Sequence, residues 1–150
     1  MHNLTRGGFA GFAATAPMTI VMAAVERVLM PSQEPLPPEQ ITENLAKRAE
    51  LEGVGERKKK VASWLAHFGY GATTGAIYGL VAERVRAPAA LKGAAYGLGI
   101  WAASYLGWLP AAGILPPATR QSRRRNVSLV AAHVIWGATT GLAVDRLSHR

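Results

Sequence analysis

Residues 66–75 read AHFGYGATTG, and residues 132–141 read AHVIWGATTG. Seven of the ten positions are identical, and an eighth pairs Tyr70 with Trp136. Both copies sit inside uncharged spans, residues 61–82 and 126–144, and two more such spans cover residues 7–25 and 93–119. Crossing the hydrocarbon core of a bilayer takes roughly 20 residues of helix. A soluble amphipathic helix would carry charge along one face every turn or two. Four spans without charge in 150 residues would leave little chain to cover them in water, so the pattern predicts helices inserted in a membrane.

Composition agrees. The chain is 49% hydrophobic and 17% charged, and its Ala- and Gly-rich spans explain a mean hydropathy of only +0.10. Net charge is +8, but the basic residues cluster between the apolar spans, as at residues 57–60 and 123–125. They form no stripe on a polar helix, and no nucleic-acid module is present, so nucleic acid is not expected as a partner. The lipid bilayer is the expected partner instead, with a homo-oligomer or a larger membrane complex as further possibilities. Absence of cysteine excludes disulfides, thiolate metal sites and cysteine nucleophiles. There is no G-x-S-x-G, H-E-x-x-H, P-loop or Rossmann pattern in a suitable context, and a non-enzymatic protein is expected.

The expected fold class is all-α: a polytopic four-helix bundle in one domain, with a short amphipathic helix in the first loop. Helix one contains Pro17, and Thr15 and Thr19 are candidates to satisfy the carbonyl that proline frees. A cleaved signal peptide is not favoured, because only about seven weakly apolar residues separate Arg6 from the small-residue site at 14–16. Four prolines in residues 31–40 make a linker. Ile41, Leu45 and Ala49 then recur every four residues on a helix that lies on the membrane surface or caps the bundle. Helices two and four share AH-x3-GATTG. Helices one and three share a basic residue followed by Gly-x3-Gly, at Arg6, Gly7 and Gly11 and at Lys92, Gly93 and Gly97. Two parallel two-helix repeats follow, at about residues 6–85 and 92–147, with the linker and amphipathic helix at about 31–60. The first and third loops carry eleven of the 17 basic residues and are expected on the cytoplasmic side.

Gly71, Gly75 and Gly79, Gly93 and Gly97, and Gly137 and Gly141 are spaced by four, which lets helix backbones approach closely. Such glycines could also make room for a flat cofactor or a lipid chain. His67 and His133 lie six and seven residues into their apolar spans, at similar depth, and buried ionisable residues face the bundle interior. Together with Glu26 and Tyr105 they form the candidate polar cluster. Three readings stay open for it: an interhelical network contributing about 0.6 kcal/mol per contact, a path for a proton or small solute, and a metal or haem site held by His67 and His133. No cofactor is expected outside that third reading. Glu26 also fits an interface anchor, because an acid followed by Arg recurs at residues 26–27, 83–84 and 145–146. The aromatics Trp64, Tyr70, Trp101, Tyr105, Trp108 and Trp136 are expected as interfacial anchors.

The stretches GFAATAPMT, PLPPEQIT, AHFGYGATTGAIYGL and SYLGWLPAAGILPPATR resemble small bacterial inner-membrane proteins of the YagU-like type. The resemblance spans nearly the whole chain and implies a multi-pass protein of the bacterial inner membrane, without transferring catalytic residues. The expected function is a membrane protein that binds or passes a small solute or proton. An accessory subunit of a membrane complex and a His-ligated electron carrier are the alternatives.

Overall fold

A computed structural model describes residues 2–29, 36–49 and 55–149, the side chains of Glu26 and Leu29 excepted. Five helices carry the fold: α1 Asn3–Leu29, α2 Pro37–Arg48, α3 Glu56–Val81, α4 Ala89–Ala102 and α5 Arg123–Ser148. No strand occurs among the described residues. Prolines open α2, where a missing N–H is harmless because the first-turn donors have no intrahelical partner. Ser122 caps α5, its side chain accepting from the Arg125 backbone N–H at 3.2 Å.

Helix α4 does not run on regularly to Pro110. It gives way at Ala103 to a π-helical segment, Ala103–Trp108, followed by a single α turn, Leu109–Ala111. Proline at position 110 cannot donate to the Leu106 carbonyl and its ring crowds that carbonyl. Gly107 takes up the distortion at φ −107, ψ −105. The chain after the turn packs over the bundle, burying Ile114, Leu115 and Ala118 in the main core with Met18, Met22, Leu129 and Trp136. Pro17 sits inside α1 without ending it. The Thr15 and Thr19 hydroxyls donate to the Gly11 and Thr15 carbonyls, at 2.9 and 2.8 Å, rather than to the Ala13 carbonyl that Pro17 leaves free.

Helix α1 packs on both α3 and α5, and α4 packs on α5, giving the spatial order α3–α1–α5–α4. Gly7 meets Gly79 while Gly11 meets Gly71, so α1 and α3 are antiparallel; Gly93 against Gly141 and Gly97 against His133 show the same for α4 and α5. The two motif copies on α3 and α5 therefore do not lie against one another: each faces a glycine helix of its own. The pairing of Gly7 with Gly93 inferred from the basic residue before each needs correction. With α3 and α5 aligned on AH-x3-GATTG, Gly11 occupies the place of Gly93, Thr15 that of Gly97 and Gly7 that of Ala89. The offset is one helical turn. Backbone proximity decides it, and the flanking charge plays no part in that contact.

Helix α2 caps the bundle. Leu36 and Ile41 pack on the main core, and polar side chains pin the helix to the 112–114 turn. The Asn44 amide donates to the Ile114 carbonyl at 2.8 Å, and Arg48 donates to the Ala112 and Gly113 carbonyls. Across α2, the Arg125 guanidinium donates to Gln40 Oε1 at 2.6 Å. One net hydrogen bond contributes about 1 kcal/mol. Asn44→Ala is therefore expected to speed amide hydrogen exchange in α2 roughly fivefold, with α5 unchanged. Equal rates in both proteins would show that the clamp does not hold the helix.

Candidate functional site

A cavity of about 220 Å³ lies between α1, α3, the π segment and α5, with α2 across one end. Its wall is mostly apolar, from Met18, Met22, Ile41, Leu45, Ile100 and Leu129. His67, Tyr105 and His133 all line it. His67 lies eleven residues from the start of α3 and His133 ten from the start of α5, so both are about 15 Å along their helices. The Glu26 side chain lies outside the described residues, leaving three of the four cluster members placed.

Each imidazole uses one nitrogen. His133 is 6% exposed, and its Nδ1–H donates to the Leu129 carbonyl at 2.8 Å. Tyr105 presents its ring edge-on to His133, centroids 5.9 Å apart. His67 Nε2 lies 3.2 Å from Thr19 Oγ1. The single Thr19 proton is committed to the Thr15 carbonyl, so Thr19 Oγ1 accepts and His67 Nε2–H donates. In the neutral rings this leaves a lone pair on His133 Nε2 and another on His67 Nδ1. Neither has a partner among the described residues. Ser63, buried on the same wall, likewise makes no hydrogen bond among them.

Among the described residues, no three His, Asp or Glu side chains gather as metal ligands would. The glycines act in helix contact, and of them Gly71 also lines the cavity. A Cβ on Gly75 would lie 2.5 Å from Gly7 O, and one on Gly137 would run into Gly93 O. Gly71, Gly79, Gly93, Gly97 and Gly141 also abut a neighbouring helix.

Several residues escaped sequence reasoning. Trp136 is no interfacial anchor: it is 2% exposed and its Nε1–H donates to the Gly11 carbonyl at 3.0 Å. Tyr105 is buried too. Tyr70 and Ser104 bond hydroxyl to hydroxyl at 3.0 Å, and the Tyr96 hydroxyl donates to the Thr74 carbonyl at 2.8 Å. The first link ties α3 to the π segment and the second ties it to α4, where the Tyr96 ring also packs on Tyr78 with centroids 5.1 Å apart. Apolar periodicity carries no signal for such cross-helix hydroxyl pairs. The Met18 and Met22 spacing was visible but reads equally as ordinary core.

The bundle and its cavity define a protein that is all-helical among the described residues, where two helical stretches, Asn3–Val25 and Arg123–Ser148, are long and apolar enough to cross a membrane. The chain belongs to the family described as protein of unknown function (DUF1440), whose model matches residues 18–142. No curated protein and no solved structure matches it.

Proposed function

We propose that this is a multi-pass protein of the bacterial inner membrane, of the YagU-like type. In this reading it crosses the bilayer four times, as two parallel two-helix repeats, and binds a small ligand in the central cavity without transforming it. The observation that carries the membrane reading is the outer surface. Phe9, Ile20 and Leu65 are 65%, 68% and 70% exposed, and Ile77, Leu91, Leu98, Leu106, Val127 and Leu142 are exposed as well. They lie on all four long elements and continue around the bundle. A water-soluble monomer rarely exposes apolar surface on that scale. Residues 89–111 form helical turns interrupted at Gly107, and residues 61–82 carry no charge. Each stretch reaches about 30 Å, the thickness of a hydrocarbon core. The one-turn register supports the repeat, because Gly11 against Gly71 and Gly75 then matches Gly93 against Gly137 and Gly141.

Topology can be read with single cysteines, since the native chain has none. With the first and third loops cytoplasmic, Arg86→Cys is expected to react with a membrane-impermeant maleimide in intact spheroplasts, and Glu56→Cys only after permeabilisation. Protein washed from membranes by carbonate, or equal labelling at both sites, would overturn the reading. For the ligand, native mass spectrometry of gently extracted protein is expected to show a small-molecule adduct that disappears when Ala66→Phe narrows the cavity mouth. An adduct that persists in that variant would place the ligand elsewhere.

A further inference from the structure

The four long elements use the same kind of contact twice, but the ring they form is not closed. Glycine contacts join α1 to α3 and α4 to α5. Helices α1 and α5 then pack tightly, through Trp136 on Gly11 and a shared core. Twofold equivalence would set α4 against α3 in the same way. Instead those helices stand apart, joined by the Tyr96 side chain to Thr74 and Tyr78, with Tyr70 reaching Ser104 of the π segment, and the cavity occupies the gap. The residues at the matching motif position differ accordingly: Trp136 is 2% exposed and Tyr70 is 41% exposed. The cap by α2 covers one end, with Ile41 and Leu45 on the wall. The side between α3 and α4, where Ala66 and Tyr70 are exposed, is the opening to the surroundings of the bundle.

Resting on the membrane-embedded binding function above, we propose that this gap is a lateral entrance from the lipid, and that the cavity takes a membrane-soluble aromatic alcohol. Such a ligand has a hydroxylated ring as its head and an apolar body. The wall fixes the body: it is built from Met, Leu, Ile and aromatic side chains. Size fixes the ring, since an apolar cavity of about 150 Å³ holds benzene and this one is about 220 Å³. Polarity fixes the hydroxyl. His133 is more than nine-tenths buried, its Nδ1–H is spent on Leu129, and Nε2 offers a lone pair with no partner among the described residues. His67 Nδ1 offers a second. Two acceptors in an apolar chamber call for a donor, and the ring hydroxyl supplies it. At these two nitrogens a carboxylate or a ketone would bring only lone pairs to lone pairs, while the Ser63 hydroxyl on the same wall can donate to the oxygen of the ring hydroxyl.

The test uses the full-length protein in lipid nanodiscs with 4-bromophenol and 4-bromoanisole, its methyl ether, whose bromine quenches the fluorescence of nearby Trp108 and Trp136. Saturable quenching by the phenol is expected, with the ether at least tenfold weaker. The double variant His67→Phe, His133→Phe should bring the two probes to within about twofold of each other, and Ala66→Phe, at an exposed position, should weaken both. Quenching that rises without saturation and equally for both probes, as simple partition into the bilayer would give, overturns the proposal. Saturable binding that ignores the hydroxyl, or a preference that survives in the double His67→Phe, His133→Phe variant, overturns the ligand class and leaves the binding cavity standing. A native adduct lost in Ala66→Phe, combined with no saturable binding of either probe, again removes only the class. Absence of both the adduct and probe binding removes the binding reading itself.

Discussion

Gly75→Leu is expected to abolish the folded bundle, and Gly75→Ala to destabilise it by about 3 kcal/mol, the upper end of what overpacking a close contact costs. The reason lies in what a side chain would meet. A Cβ at position 75 falls 2.5 Å from the Gly7 carbonyl oxygen, 2.6 Å from Gly11 Cα and 2.9 Å from Gly11 N. All three are backbone atoms of α1, so no rotamer change makes room and the two helices must move apart. Separation loses the dispersion contacts that distinguish a helix neighbour from lipid. Gly137→Leu should do the same at the second crossing, where Gly93 O, Gly93 C and Gly97 Cα block the Cβ. Gly69 and Gly99 are the controls: nothing lies within 4 Å of a Cβ at either. Alanine there should be neutral or stabilise by about 0.5–1 kcal/mol, since glycine is the poorer residue in a helix interior. Thermal unfolding in detergent distinguishes the two pairs. Equal shifts at positions 69 and 75 would show that the close crossing does not carry the fold.

Trp136→Ala is expected to cost about 3–5 kcal/mol, as truncation of a buried aromatic does. Its indole belongs to the main core with Ala14, Met18, Leu129 and Ala132, and its ring centroid lies 6.2 Å from that of Tyr96. It is also the tie between α5 and α1 through Gly11 O. Trp136→Phe keeps most of the volume and removes only the hydrogen bond, so a loss of about 1 kcal/mol is expected. At Trp108, which is 45% exposed, alanine should change stability by less than about 1 kcal/mol. An anchoring role for position 136 would reverse that order, with Trp108→Ala and Trp136→Ala having similar small effects on stability and instead shifting the protein's depth in the bilayer.

Much of the architecture is legible from residue order. Long uncharged runs must become helices, because only an internally bonded backbone tolerates apolar surroundings, and α1 and α5 emerge with that length and character. Pro37, Pro38 and the four-residue spacing of Ile41 and Leu45 mark α2 for similarly local reasons, while residues 31–35 of the expected linker lie outside the described residues. Gly-x3-Gly spacing announces close helix contact. The shared depth of His67 and His133 follows from counting residues from the start of each span, and both do line one cavity.

Partner choice is another matter, as the two copies of AH-x3-GATTG demonstrate. Nearly the same ten residues bury a tryptophan against α1 in one place and leave a tyrosine at the edge of an open gap in the other. Even the glycine pairing came out one turn away from the one the flanking basic residues suggested. A helix and its apolar character are set by neighbours a few positions along the chain, so they can be read locally. Which helix faces which, in what register, and where a gap is left between them depend on contacts between residues far apart in the chain, such as Gly7 with Gly79 and Gly11 with Trp136, and those contacts exist only once the chain has packed.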